Sequence, residues 1–236
     1  LSADLTGALV EDFHDNHQTN GFELHSTPVP QDTINSQDFC VPRCGCPICS
    51  GMANPLPADP VNPEDTLSSN TPVTLSETFL LNSNPGASHT IFLDFDGHVT
   101  TGTVWNSIYA GGVDISTPAF DFDGNTSSFS NAELQRIQWI WERVAEDYMP
   151  FDVNVTTEDP GVAALSKSGA SDSAWGARIV IGGSSTDWYG ASAGGVAYVG
   201  SFNWSTDTPG FVFEAQLGNG NEKFTAEAIS HEAGHM

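Results

Sequence analysis

The sequence predicts a mixed α/β domain (α/β or α+β in class), in which helices pack on one twisted, mostly parallel sheet of about five strands. Three observations lead to this fold class. Several short apolar runs are separated by Gly- and Ser-rich loops, which is typical of buried strands. A long segment with helical periodicity lies between the first run and the others. A second helical segment follows the last run, so that two main helices are expected against the sheet.

The first strand and the long helix have the clearest signals. Residues 90–95, with the sequence Thr-Ile-Phe-Leu-Asp-Phe, form a short apolar run and predict a buried strand. The long helix is predicted to begin after Ser130, which forms the capping-box pattern S-x-x-E with Glu133, and Pro150 ends it. Its apolar positions recur at spacings of three and four: Leu134, Ile137, Ile140, Trp141, Val144 and Tyr148.

Four more strands and a last helix complete the domain. The strands are predicted at Phe151–Thr156, Ala177–Ile181, Gly195–Val199 and Phe211–Phe213. The last helix is predicted from about Asn221 to Met236. Residues 1–85 are instead rich in Pro, Asn, Asp, Ser and Thr without a sustained period, which indicates a pro-segment or linker. The domain organisation predicted is therefore a segment 1–85 followed by one folded domain, 86–236.

Composition restricts the partners and the location. The chain has 30 Asp and Glu against 6 Lys and Arg, a formal net charge of −24, which disfavours nucleic acid and anionic lipid as partners. No apolar run approaches the length of about 18 residues that a membrane span needs. No signal peptide precedes Leu1–Asp4, but these four residues resemble the end of an export signature of large bacterial proteins. A secreted, extracellular protein is expected.

The motif H-E-x-x-H lies in the last predicted helix, at His231, Glu232 and His235. Two histidines one helical turn apart project from the same face, so both imidazoles can bind one Zn²⁺. A glutamate beside them can accept a proton from the water that the metal activates. The spacing therefore predicts a hydrolytic zinc site with Glu232 as general base and the two histidines as ligands.

These residues resemble the metzincin metallopeptidases, as do the helix-to-strand junction at 140–157 and the order of elements over 88–236. The resemblance implies a metzincin-like N-terminal subdomain and a zinc-dependent endopeptidase acting on extracellular proteins or peptides. It implies that Gly194–Val199 forms the edge strand of the substrate cleft. The third histidine ligand and the methionine turn are expected beyond Met236. These 236 residues alone are therefore expected to be inactive, with the two ligands on a weakly held last turn.

Two other functions remain open at the sequence level. One is a secreted, non-catalytic binding or surface module that keeps the metzincin fold. The other is a phosphatase, because Asp94 and Asp96 in Leu93-Asp94-Phe95-Asp96-Gly97 resemble the first motif of the haloacid dehalogenase type. That family also requires a Lys, but the chain has only Lys167 and Lys223, and Lys223 lies in the predicted zinc helix. His98 stands where a Thr is expected. Asp94 and Asp96 are therefore predicted to be solvated or turn-forming carboxylates at a strand end.

A second cofactor, Ca²⁺, is suggested by oxygen-bearing side chains at alternate positions, Asp121, Asp123 and Asn125. An Asx-rich turn is the alternative, because an EF-hand would have Gly at the sixth position and Glu at the twelfth.

The four cysteines lie at positions 40, 44, 46 and 49. Residues 42–47 resemble the pro-segment motif of the matrixins, which implies a latency switch through Cys44. Two disulfides, a structural metal site or free thiols are the alternatives.

Overall fold

The computed structural model of the chain describes residues 73–236. The cysteines and most of the predicted pro-segment, including Cys44, lie outside these residues. Within the described part, three helices and seven strands follow one another along the chain: β1 (His89–Asp94), β2 (His98–Thr100), α1 (Val104–Tyr109), β3 (Ile115–Thr117), α2 (Asn131–Asp147), β4 (Val153–Thr156), β5 (Trp175–Ile181), β6 (Gly195–Val196), β7 (Gly210–Val212) and α3 (Glu222–His235).

Five of the strands form one sheet in the order β4-β1-β5-β7-β6. β1 pairs in parallel with β4 and β5, and β5 pairs in parallel with β7. β6 is antiparallel to β7 and forms the end of the sheet. The predicted mixed fold with a mostly parallel five-stranded sheet is therefore confirmed. The β2–β3 hairpin and the short helix α1 were not predicted.

One face of the sheet and two helices enclose the main core. Alternate residues of a strand point to the same face, and Ile91, Leu93, Ile179 and Ile181 accordingly share a buried cluster. The helices α2 and α3 fill the other side of this cluster with Ile137, Ile140, Val144, Ala228 and Ile229. The predicted capping box of α2 is present, because Ser130 Oγ accepts from Glu133 N at 3.3 Å and Glu133 Oε2 accepts from Ser130 N at 2.7 Å. The long helix is confirmed.

The opposite face of the sheet carries a buried ion network. Asp94 and Arg178, on neighbouring strands, are 2% and 5% exposed and form an ion pair. Arg178 Nε also contacts Asp207 Oδ2 at 3.0 Å. The prediction that Asp94 is a solvated carboxylate at a strand end is therefore wrong, whereas Asp96 is exposed. Burial first, and a hydrogen bond with Asp96 second, raise the pKa of Asp94 to about 7.

Residues 74–84 lie against the domain. Leu81 is buried, and its N–H donates to Thr157 Oγ1 at 3.0 Å. Ser83 N donates to Val155 O at 3.0 Å, and Asn82 forms an isolated bridge with Thr156. This segment therefore covers the outer edge of β4, whose backbone groups would otherwise form an open sheet edge.

Candidate metal centre

The helix α3 presents the H-E-x-x-H residues. Asn221 caps its N-terminus, since the Asn221 side chain accepts from Lys223 N and Phe224 N at 3.1 and 3.2 Å. Thr225, Ala226, Ala228, Ile229 and Glu232 form its buried side. The predicted helix is confirmed, and this buried side faces the core beneath the sheet.

The structure brings His231 and His235 together. Their Nε2 atoms lie 2.9 Å apart, and the two ring planes make an angle of 87°. Because an imidazole pair in hydrogen-bond contact shares one proton, one ring donates and the other accepts. Burial, and then the neighbouring His235, lower the pKa of His231. The lowered pKa favours the neutral imidazole of His231, the form in which histidine binds a metal.

The histidine pair fits zinc. Nitrogen ligands at about 2.0–2.1 Å from a tetrahedral zinc lie roughly 3.3 Å apart, and the observed separation of 2.9 Å is only a few tenths of an ångström shorter. Both rings are half-buried, so that they remain reachable from one side. The donor set of two imidazoles is the type that zinc prefers.

Glu232 is fully buried and lies against the edge strand β6. A Cβ built on Gly195 would be 2.6 Å from Glu232 Cγ and 2.8 Å from Glu232 Oε1. Only a glycine leaves room for the carboxylate at this point. Glu232 and the strand that contains Gly195 were both expected at the substrate cleft. The sequence gives no signal for the contact between them, because the two positions are far apart in the chain.

The last turn of α3 is held by the loop that follows β6. Gly200 N donates to His235 O at 2.9 Å, and Phe202 N donates to Met236 O at 2.8 Å. Tyr148 Oη also donates to Ser230 O at 3.0 Å. The expectation of a weakly held last turn is therefore wrong. The two donors from the loop, Gly200 N and Phe202 N, satisfy carbonyls that a helix end leaves without intrahelical partners.

A third ligand for the histidine pair is not found within residues 73–236. In this range the one cluster of three or more His, Cys, Asp or Glu ligand atoms is formed by Asp121, Asp123 and Glu133. His98 lies elsewhere, with its Nδ1 3.5 Å from Asp94 Oδ2.

The loop for which the sequence suggested a calcium site brings together a different set of acidic side chains from the predicted one. Glu133, from the first turn of α2, joins Asp121 and Asp123 in the acidic cluster. The Asn125 side chain instead contacts the next turn, since its Oδ1 accepts from Ser127 Oγ at 2.6 Å. The sequence indicates that Glu133 lies in the first turn of α2, but it does not indicate that its carboxylate approaches the loop.

The phosphatase motif is not arranged as a site. The carboxylate of Asp94 is buried and held by Arg178, so it is not accessible to a phosphate ester.

Comparison with known protein families, with curated proteins and with solved structures found no match to this chain. No helix among the described residues has the length and apolar character needed to cross a bilayer.

Proposed function

We propose that this chain carries the catalytic centre of a secreted, zinc-dependent endopeptidase of the metzincin kind, which hydrolyses peptide bonds of extracellular proteins. In this proposal His231 and His235 hold the zinc and Glu232 is the general base. One observation carries it: two imidazole nitrogens lie 2.9 Å apart on one helix face, next to a glutamate fixed in a buried position.

The chemistry divides between the metal and the chain. Zinc, when bound, supplies a Lewis acid that acidifies water and polarises a carbonyl group. Glu232 takes the proton of the attacking water and delivers it to the leaving amine. The burial of Glu232 against Gly195 restricts the positions that the carboxylate can take, which favours proton transfer from a water held at the metal.

The position of β6 supports a peptide as the substrate. β6 is the terminal strand of the sheet and is paired on one side with β7. An extended peptide can add to such an edge through backbone hydrogen bonds. Since Glu232 lies against Gly195 of this strand, a peptide bound there is brought next to the general base. This placement agrees with the edge strand that the metzincin resemblance implies.

Zinc dependence is the first test. The complete gene product is expected to cleave an unfolded protein substrate, to lose this activity after treatment with a zinc chelator, and to regain it when zinc is added back. Calcium or magnesium added without zinc is the control and should not restore cleavage. Hydrolysis that survives complete removal of zinc would contradict the proposal.

A further inference from the structure

A second group of carboxylates lies apart from the H-E-x-x-H residues. Asp121 and Asp123 belong to the loop before α2, and Glu133 lies in the first turn of that helix. One carboxylate oxygen of each residue lies within 4.8 Å of the others. Asp123 is exposed, Asp121 is half-buried and Glu133 is 1% exposed, so the group leads from the surface into the domain.

A fourth carboxylate reaches the same loop from the sheet. Glu214 follows β7 and is 5% exposed. Its Oε1 accepts from the backbone N–H of Asp121 at 3.4 Å and of Gly183 at 3.1 Å. Its Oε2 is buried without a hydrogen-bond partner. Burial raises the pKa of Glu214 to about 8, and the nearby charges of Asp121 and Glu133 add to this rise. A buried carboxyl oxygen without a hydrogen-bond partner is costly, and a cation among the neighbouring carboxylates would lower that cost by favouring the ionised group.

Within residues 73–236, no Lys or Arg forms an ion pair with these four carboxyl groups. The chain has six Lys and Arg in all. Arg136, one turn after Glu133 on α2, lies over the Phe122 ring, with its Cζ 3.9 Å from the ring centroid. Its Nη1 donates to Gly220 O, and its Nε lies 3.8 Å from Glu222 Oε2. The guanidinium therefore faces the start of α3 and not the carboxylate group.

We infer that Asp121, Asp123 and Glu133 bind one calcium ion, behind which the buried carboxyl group of Glu214 lies. An all-oxygen set of carboxylates is what Ca²⁺ prefers, and Ca²⁺ accepts irregular geometry more readily than Mg²⁺ does. Zinc is disfavoured here, because no imidazole or thiolate belongs to the group.

The ion would lie next to an element that is distant in the sequence. Its three carboxylates belong to the loop before α2 and to α2 itself, and Glu214, in the turn after β7, accepts a hydrogen bond from the backbone of that loop. That turn leads directly to α3, and Gly220 N donates to Glu214 O at 3.1 Å just before the helix begins. Calcium binding is therefore expected to stabilise the segment from which α3 starts. This inference does not depend on the zinc site or on peptidase activity.

The test is calcium titration of the complete gene product carrying His231→Ala and His235→Ala, so that zinc at the histidines does not contribute. After removal of divalent ions, added Ca²⁺ is expected to raise the unfolding temperature with saturable, 1:1 binding by calorimetry, because an ion that binds only the folded state stabilises it. An equal response to Mg²⁺ would overturn the assignment to calcium.

Variants of the same protein locate the ion. Asp123→Asn changes an exposed side chain and is expected to weaken calcium binding about tenfold or more. Glu214→Gln is expected to weaken binding too, without loss of the ion-free fold, since the amide keeps the shape of the carboxylate. Asp114→Asn, an exposed acid elsewhere, is the matched control and should leave binding unchanged. No saturable response in the parent protein, or equal affinity in the Asp123→Asn and Asp114→Asn variants, would overturn the inference.

Discussion

Replacing Glu232 with Gln in the complete gene product is expected to lower peptide hydrolysis by about 10²–10⁴-fold, the usual contribution of a general acid–base group. The amide fills nearly the same buried space beside Gly195 but cannot accept the proton of the attacking water. Zinc content should stay the same, because Glu232 is not a ligand in the proposed site. The measurement is the turnover number on a peptide substrate together with the metal content of the same sample.

Two further variants separate the role of Glu232 from general damage to α3. Glu227→Gln changes an exposed glutamate of the same helix and should leave hydrolysis unchanged. Gly195→Ala adds a Cβ at 2.6 Å from Glu232 Cγ, and is expected to reduce hydrolysis by displacing the carboxylate while zinc is retained. Gly86→Ala, where a Cβ meets nothing within 4 Å, is its control. Near-normal turnover of the Glu232→Gln protein would remove this residue from the mechanism.

Replacing Arg178 with Met is expected to lower the free energy of unfolding by about 3–5 kcal/mol, because removing one partner of a buried ion pair leaves the other charge uncompensated. Arg178 contacts both Asp94 and Asp207, so two buried carboxylates lose their counter-charge at once. The measurement is chemical denaturation at neutral pH. Arg143→Met, at a half-buried position on α2, is the control and should cost far less.

The pH dependence of this loss has a definite sign. Burial already raises the pKa of Asp94 to about 7, and removing the Arg178 charge raises it further. A carboxyl whose pKa is raised in the folded state contributes stability at low pH that is lost as the pH rises. The Arg178→Met protein should therefore be less destabilised at pH 5 than at pH 8. Adding Asp94→Asn and Asp207→Asn should restore part of the stability at pH 8, and no recovery would contradict the account.

The two long helices, α2 and α3, could be predicted from the sequence. The segment after Ser130 has both a capping box and six apolar positions at helical spacing, and the structure has α2 there. Helical spacing alone also requires His231 and His235 to share one face, and the structure brings their nitrogens together.

Short elements could not be predicted in the same way. The helix α1 spans six residues, which is too short for an apolar period to emerge. Its Trp105 is fully buried and donates to Pro209 O, a contact across 104 positions that no local sequence pattern indicates. The strand expected at 195–199 is paired as a strand only at Gly195–Val196. Its later part turns so that Tyr198 packs on Trp105, with ring centroids 4.4 Å apart.

The details of the sites depend on contacts between distant positions as well. Asp94 lies 84 residues before Arg178, and nothing near Asp94 in the sequence indicates a counter-charge. The surroundings of Glu133 could not be predicted either. Its capping role follows from the sequence pattern, but its approach to Asp121 and Asp123 does not. Sequence patterns therefore gave the helix that carries the histidines, whereas the surroundings of the carboxylates required the fold.

The most direct test of the proposed zinc site is the zinc content of four forms of the complete gene product: the unaltered protein, Glu232→Gln, His231→Ala and His235→Ala. After gel filtration in metal-free buffer, elemental analysis is expected to find about one zinc per chain in the first two, as for a catalytic site with histidine ligands. Both histidine variants are expected to have lost most of it, with an unchanged circular dichroism spectrum. Equal zinc content in all four forms would contradict the account.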